Sequence, residues 1–175
     1  MVNALDDLIQ TSNLLSERLE CWSVIPTSEE KVKPFKNVYI TVKNEIRLLE
    51  EQIQSDMKTI APNTSEIAGP LIGARLLSYA GGLEKLAMLP SSTIQIMGAE
   101  KALFRFKKEG GKPPKHGVIF QNSIINKASR NNRGKIARIL ASNISIAAKA
   151  DAFTKRDISG DLNKNMKKRI ERVVN

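Results

Sequence analysis

Two apolar stripes with the spacing of a coiled coil occupy the first 60 residues and most constrain the fold. The first stripe follows steps of three and four residues through Leu5, Leu8, Ser12, Leu15, Leu19 and Trp22. The second runs through Phe35, Tyr39, Val42, Ile46, Leu49, Ile53, Asp56 and Ile60. Such a repeat keeps one face of each helix against a neighbouring helix. The pattern predicts two helices packed along their stripes, with polar interruptions at Ser12 and Asp56.

The connection between the two predicted helices is short and contains a helix breaker. Ile25-Pro26-Thr27-Ser28 separates the stripes, and Thr27 followed by Glu30 fits a capping box. A connection this short makes consecutive helices antiparallel neighbours. Residues 1–62 are therefore predicted to form an antiparallel coiled-coil hairpin, with Pro62 ending or kinking its second helix.

Glycine and asparagine divide the rest of the chain into further elements. Asn63 with Glu66 resembles a helix start, and Gly81-Gly82 ends the helix that follows. Gly69 and Gly73, four residues apart, leave a strip without side chains where a neighbouring helix can pack closely. These signals predict a second domain, built from several short helices.

The second half of the chain is predicted to contain two longer helices after an irregular region. Gly110–Lys115 reads as a basic loop because its glycines and prolines exclude regular structure. Gly117–Phe120 is interpreted as extended, and Asn122 or the serine after it as the cap of a brief helix. The longer helices cover 136–148 and 162–174. The whole chain is predicted to be all-α.

Positive charge is concentrated in the second half of the chain. Residues 1–99 carry 9 Lys and Arg against 12 Asp and Glu, a net charge of −3. Residues 100–175 carry 19 against 6, a net charge of +13. An asymmetry of this size favours a polyanionic partner such as nucleic acid over a basic surface that only aids solubility.

The basic side chains fall into three groups that could follow a phosphate backbone. They are Lys101, Arg105, Lys107 and Lys108, then Lys112 and Lys115 in the loop, then Arg130, Arg133, Lys135 and Arg138 around the next helix start. This half lacks Trp and Tyr, and Phe104 and Phe120 are interpreted as core residues, so no platform for stacking single strands is indicated. The pattern favours recognition of a structured RNA by its shape and backbone.

Catalytic and metal-binding chemistry is poorly represented in the sequence. The one histidine, His116, lies in a loop of Pro, Gly and Lys residues, and the one cysteine, Cys21, lies far from it in the first helix. Neither a nucleophile–base pair nor a metal site is expected from them. Gly110-Gly111-Lys112 also lacks the earlier glycine and the Ser or Thr of a phosphate-binding loop. We therefore expect a non-enzymatic protein without a cofactor, in a reducing compartment.

Several segments resemble one known family in the same order along the chain. They cover 12–22, 60–90, 92–105, 113–120 and 134–153, and the most specific contains GAEKALFR within STIQIMGAEKALFR. The chain is similar to the Nop domain, which is shared by the core scaffolds of archaeal and nucleolar box C/D guide ribonucleoproteins and by a spliceosomal pre-mRNA-processing factor. The GAEKALFR form resembles the box C/D scaffolds more closely.

The resemblance implies an all-α fold, with a shortened antiparallel coiled coil over residues 1–62 and a helical Nop domain over residues 63–175. Such a domain binds a kink-turn RNA together with the small ribosomal-protein-like factor on that RNA, in particles that serve RNA 2′-O-methylation and rRNA processing. The residues carried over are Glu100, Lys101 and Arg105, the segment Lys107–Lys115, and Arg133–Arg138. The expected location is cytoplasmic in an archaeon and nuclear or nucleolar in a eukaryote.

Two departures from the family pattern affect the expected partners. Gln121 stands where the family usually has a histidine, and its amide can hydrogen-bond a base or a phosphate but stacks poorly. Full-length box C/D scaffolds carry a further N-terminal domain that docks the methyltransferase fibrillarin, whereas this sequence starts directly in the coiled coil. The chain is therefore either a fragment or a short relative, and fibrillarin docking is not expected. The family's coiled coil pairs two scaffolds, which implies a homodimer or pseudo-dimer, and no membrane association is expected.

Two other functions remain open from the sequence. One is a splicing-type Nop factor. The other is a basic protein–protein adaptor that meets an acidic partner without specific recognition of RNA. Structured RNA and duplex DNA of equal charge should compete equally for such an adaptor.

Overall fold

The computed structural model describes residues 1–23 and 29–174, and every regular element in these residues is helical. The predicted all-α fold is confirmed. The chain divides into two compact units, Met1–Ser55 and Asp56–Asn175.

The first unit contains the helical hairpin that the two stripes predict. Helix α1 spans Val2–Ser23, and helix α2 spans Glu29–Ile60 and so continues beyond this unit. The ring of Trp22, at the end of α1, meets the ring of Phe35, near the start of α2, edge to face with 4.7 Å between centroids. This contact joins the end of one helix to the first turns of the next, as in an antiparallel hairpin. Thr27 of the predicted capping box lies outside the described residues.

Burial along the hairpin follows the two stripes. Leu5 and Ser12 on α1 and Ile53 on α2 are buried, whereas Phe35 and Ile60 are exposed. The remaining stripe positions are half-buried. The polar interruption at Ser12 therefore lies within the seam rather than on the solvent face.

The second unit consists of short helices and two longer ones near its end, of 17 and 16 residues. In chain order they are α3 Pro62–Ala68, α4 Pro70–Ala80, α5 Leu83–Met88, α6 Ser91–Ile96, α7 Glu100–Glu109, α8 Ser123–Asn126, α9 Arg133–Lys149 and α10 Ser159–Val174. A 3₁₀ turn covers Val118–Gln121, and α9 passes into a π-helical turn at Ala150–Thr154. The run Gly117–Phe120, predicted to be extended, is therefore largely a turn, because periodicity cannot assign so short an apolar segment.

Helix α9 forms the centre of the second unit. It packs against α3, α5, α6 and α10, and its fully buried side chains include Ile136, Leu140 and Ile144. Small residues between them, such as Ala137 and Ala141, are also buried and allow the surrounding helices to approach closely. α9 is exposed only in its first turns and at occasional later positions. The basic residues at its start therefore project from a helix that is otherwise held in the core.

The start of α3 is held by a residue far along the chain. Asn63, predicted as a helix cap, lies inside α3, and the cap position is Ala61, which makes no side-chain cap bond. The carboxylate of Asp151 accepts the backbone N–H groups of Asn63 (3.0 Å) and Thr64 (2.7 Å) and the Asn63 side-chain amide (2.7 Å). A carboxylate at a helix N-terminus satisfies unpaired N–H groups and opposes the helix dipole. Asp151 thus performs the capping that the sequence assigns to Asn63.

The two glycines of the predicted packing strip have different roles. A Cβ on Gly73 would lie 2.8 Å from Met57 Cε, so this position does permit a close approach. Gly69 has no such neighbour and has φ +87°, a conformation that favours glycine. Gly69 therefore makes the break between α3 and α4.

Candidate nucleic-acid interface

Helix α7 carries a basic face that points to solvent. None of its residues is buried, and Leu103 and Phe106 are half-buried, which defines its inner side. With 3.6 residues per turn, the opposite side carries Lys101, Arg105 and Lys108, together with Phe104. Phe104 is 69% exposed, so its interpretation as a core residue is wrong.

The start of α7 is fixed by a sharp turn. Gly98 has φ +85°, and its N–H donates to Glu100 Oε1 at 2.8 Å. Glu100 therefore closes the helix start with its carboxylate, where negative charge is favourable. A Cβ at Gly98 would lie within 3.4 Å of Val118 and of Tyr79 Cε2, so α7 begins beside the 3₁₀ turn and α4.

The basic loop after α7 is anchored at its far end. The N–H of Gly117 donates to Gln95 O (2.9 Å), the N–H of Val118 to Met97 O (2.8 Å), and Gln95 Nε2 to Lys115 O (2.7 Å). A Cβ on Gly117 would lie only 1.9 Å from Met97 O. No other residue fits there without moving the backbone, so Lys115 is presented from a fixed position.

A stack of three side chains joins the loop to the start of α9. The ring of His116 lies parallel to that of Phe120, with 4.3 Å between centroids and 13° between planes. The guanidinium of Arg133 lies 5.3 Å from the centroid of the Phe120 ring, and it donates from Nε to Ala128 O (3.0 Å) and from Nη2 to Asn126 O (3.1 Å). Arg133 thus holds the loop and the turn before α9 together.

The same stack changes the chemistry of His116. Its burial, and then the positive charge of Arg133, lower the pKa of His116 below the usual 6.5. The histidine therefore favours its neutral form and acts as a packed ring. Phe120 is half-buried and packs against the core, so its interpretation as a core residue is closer to the structure than that of Phe104.

The structure brings two of the three predicted basic groups next to each other. The Lys115 side chain lies 3.6 Å from the Cβ position of Gly134, which places the loop against the first turn of α9. Lys135 and Arg138, three residues apart and both exposed, share the outer face of that turn. Arg130 is exposed just before α9, and Lys107 and Lys112 are exposed between α7 and the anchored end of the loop.

Gln121 has a partner that the sequence does not indicate. Its Oε1 accepts a hydrogen bond from Arg75 Nη1 of α4 at 2.8 Å. The two residues are 46 positions apart, and no local pattern links them.

The part of the chain that the structure describes, residues 1–23 and 29–174, offers neither a metal site nor a membrane-spanning helix. No group of three His, Cys, Asp or Glu side chains there could hold a metal ion. No helix in that part of the chain is long and apolar enough to cross a membrane.

The family model described as "snoRNA binding domain, fibrillarin" matches residues 22–175. The chain belongs to the Nop family. Nucleolar protein 58 of Candida glabrata is 46% identical over 124 residues, which are 70% of this chain and 24% of that protein. Nucleolar protein 56 of Schizosaccharomyces pombe is 43% identical over 125 residues, 71% of this chain and 25% of that protein. An uncharacterized NOP5 family protein of Methanocaldococcus jannaschii is 48% identical over 117 residues, 67% of this chain and 28% of that protein. The chain thus spans 24–28% of the length of these relatives.

A solved structure corrects one expectation about partners. The crystal structure of a fibrillarin/Nop5p complex has a chain that matches 98% of this Nop-family chain over 66% of its own length, with a TM-score of 0.77 and 34% identity. A protein with this fold therefore occurs with fibrillarin, and the expectation that fibrillarin docking is absent is wrong. That expectation depended on where this sequence begins, which does not determine what a Nop-family protein assembles with.

Proposed function

We propose that this chain is the RNA-recognition part of a box C/D-type ribonucleoprotein scaffold. It binds a kink-turn RNA together with the small ribosomal-protein-like factor on that RNA. The observation that carries the proposal is the basic surface of α7, the loop 110–117 and the start of α9, which lies within the segment that matches the snoRNA-binding family model. Relatives named as nucleolar proteins support a nucleolar location in a eukaryote, and the NOP5 relative supports a cytoplasmic one in an archaeon.

Cations reach this surface from three elements. Those proposed to contact phosphates are Lys101, Arg105, Lys107 and Lys108 of α7, Lys112 and Lys115 of the loop, and Arg130, Lys135 and Arg138 at α9. If about six phosphates are neutralised, a plot of the logarithm of the binding constant against the logarithm of the salt concentration has a slope of about −5. Because the loop and α9 are fixed to each other, this surface suits recognition of an RNA of defined shape.

Two of the predicted contact residues are proposed to act mainly by holding the surface in place. The Glu100 carboxylate is bound to the N–H of Gly98, which fixes the start of α7. The Arg133 guanidinium is bound to two backbone carbonyls and lies over Phe120. Substitution of either residue is expected to weaken RNA binding by moving its neighbours.

The exposed Phe104 ring supports a surface that meets RNA and protein together. It lies among three cations on α7 and is 69% exposed. Aromatic side chains gain from contact with an unpaired base or with an apolar patch on a protein. A composite ligand offers both, whereas a phosphate backbone alone offers neither.

The first unit is proposed to supply a separate contact, the pairing of two scaffold copies. Large apolar side chains on the outside of the hairpin support this: Leu14, Val38, Ile40 and Leu48 are each about half exposed or more. The role proposed for the whole chain is binding and assembly rather than catalysis. It is supported by the stack of His116 on Phe120, which gives the histidine ring a packing role.

The proposal is tested by fluorescence anisotropy with a kink-turn RNA already bound by its small protein. Lys101→Ala/Arg105→Ala should weaken binding and reduce the salt slope by about two. Lys43→Ala/Arg47→Ala is the matched control, because it removes the same two charges at the same spacing from α2. Equal effects of the two variants, or none from either, would contradict the proposed interface. Equal competition by duplex DNA would instead favour a non-specific basic adaptor.

A further inference from the structure

The Arg75–Gln121 hydrogen bond fixes which way the glutamine amide faces. Gln121 Oε1 accepts from Arg75 Nη1 at 2.8 Å. Arginine has only donors, so the amide oxygen must face Arg75 and the amide nitrogen must face away from it. An exposed glutamine ordinarily presents either end by flipping its amide. Gln121 instead presents its two N–H donors.

The backbone that carries Gln121 is held on both sides. The 3₁₀ turn begins at Val118, whose N–H donates to Met97 O at 2.8 Å. After the turn, Asn122 accepts from the N–H of Ile124 (3.0 Å) and donates from Nδ2 to Ala68 O (3.1 Å). The amide of Gln121 is exposed while its main chain and its oxygen are fixed, which is the arrangement of a preorganised contact.

This pair adjoins the start of α7. Arg75 and Tyr79 are four residues apart and share one face of α4. Tyr79 is 53% exposed, and its Cε2 atom lies 3.4 Å from the Cβ position of Gly98, two residues before α7. The donors of Gln121 therefore extend the surface of α7 toward α4.

We propose that Arg75 is a positioning residue that makes Gln121 a donor-only contact for a phosphate oxygen of the bound RNA. This inference rests on the proposed function. A phosphate is favoured as the acceptor because the bond to Arg75 polarises the amide, and a polarised N–H donates most strongly to an anionic oxygen. A histidine, which the family pattern usually has here, can present an acceptor nitrogen as well as a donor. Gln121 presents only donors, because its amide oxygen is bound to Arg75.

The first test compares Gln121→Glu with the wild type on the kink-turn RNA–protein complex. The variant keeps the size of the side chain and its pairing with Arg75 but replaces the outward donors with an anion. We expect affinity to fall about 10- to 100-fold, the loss typical of a hydrogen bond to a charged group, without a fall in Tm. Gln54→Glu, at an exposed position of α2, is the matched control and should bind as the wild type does.

The second test asks whether Arg75 acts through Gln121. Arg75→Met removes the donors and frees the amide to flip, so affinity should fall in the wild-type background and hardly change in a Gln121→Ala background. A purely structural role of Arg75 would give the same loss in both backgrounds.

The outcomes separate the two proposals. Wild-type protein that fails to bind the complex would refute the proposed function itself. Wild-type binding that Gln121→Glu leaves unchanged, or equal effects of Arg75→Met in both backgrounds, would overturn the donor-only contact and leave the proposed function standing.

Discussion

Substitution of Asp151 tests how the start of α3 is held in place. The side chain is 2% exposed and accepts three hydrogen bonds, from Asn63 N, Asn63 Nδ2 and Thr64 N. In Asp151→Asn, one carboxylate oxygen is replaced by an amide NH2 group. That group cannot accept a hydrogen bond from the N–H donor that faces it. If the remaining oxygen keeps the two Asn63 bonds, the Thr64 N–H loses its acceptor. A lost bond to a charged group together with an unsatisfied buried N–H amounts to about 3–5 kcal/mol.

Urea unfolding followed by circular dichroism measures this loss. At about 3 °C per kcal/mol, the expected fall in Tm is roughly 10–15 °C. Thr64→Val is the matched control: its buried hydroxyl has no partner among the described residues, so removing it should not destabilise the fold. Asn63→Ala combined with Asp151→Asn should cost less than the sum of the two single changes, because they share the same bonds. A loss below about 1 kcal/mol for Asp151→Asn would show that the carboxylate does not hold α3 in this way.

Three further predictions concern the loop and α7. Gly117→Ala should destabilise the fold strongly, because the new Cβ would lie 1.9 Å from Met97 O. Gly160→Ala is the control and should not destabilise it, because a Cβ there would have nothing within 4 Å. Similar melting temperatures for the two variants would be inconsistent with the close approach at Gly117. Because the pKa of His116 is lowered below 6.5, its contribution to stability is fully present above about pH 6.5 and is lost as pH falls toward the lowered value. His116→Phe keeps a ring without a titrating group, so the wild type should lose stability relative to this variant in denaturant titrations between about pH 7.5 and about pH 5; parallel pH profiles would contradict the stacking effect. Phe104→Ala should change unfolding free energy by less than about 0.5 kcal/mol yet weaken binding of the RNA–protein complex by about 1–3 kcal/mol; unaltered affinity would remove Phe104 from the interface.

Local patterns predicted the elements of the fold because the signals for them are local. Heptad spacing fixes α1 and α2, Gly81 ends α4 in a left-handed conformation, and Asn122 caps α8 with a bond to Ile124 N. Each of these features depends on residues within a few positions of one another, so the sequence displays the whole interaction.

Interactions between distant residues were not predictable in this way. Asn63 resembles a cap because its neighbours fit one, but its partner Asp151 is 88 positions away. The Arg75–Gln121 bond likewise has no trace in either segment. Periodicity places Phe104 and Phe106 in the same helix, yet only the packing of α7 decides that Phe106 turns inward and Phe104 outward.

The basic residues of the proposed interface were predicted from charge, whereas their arrangement was not. The sequence gives no reason for His116 to stack on Phe120 or for Arg133 to lie over the same ring, since these contacts require the loop to fold back onto α9. This anchoring turns a run of basic residues into a surface of fixed shape.

The most direct test of composite recognition is to titrate the wild-type protein against one kink-turn RNA, with and without its small bound protein, at a fixed salt concentration. Composite recognition predicts tight binding to the RNA–protein complex and binding at least about tenfold weaker to either component alone, a difference of about 1.4 kcal/mol. Equal affinity for the free RNA and the complex, or no binding to the complex, would contradict it.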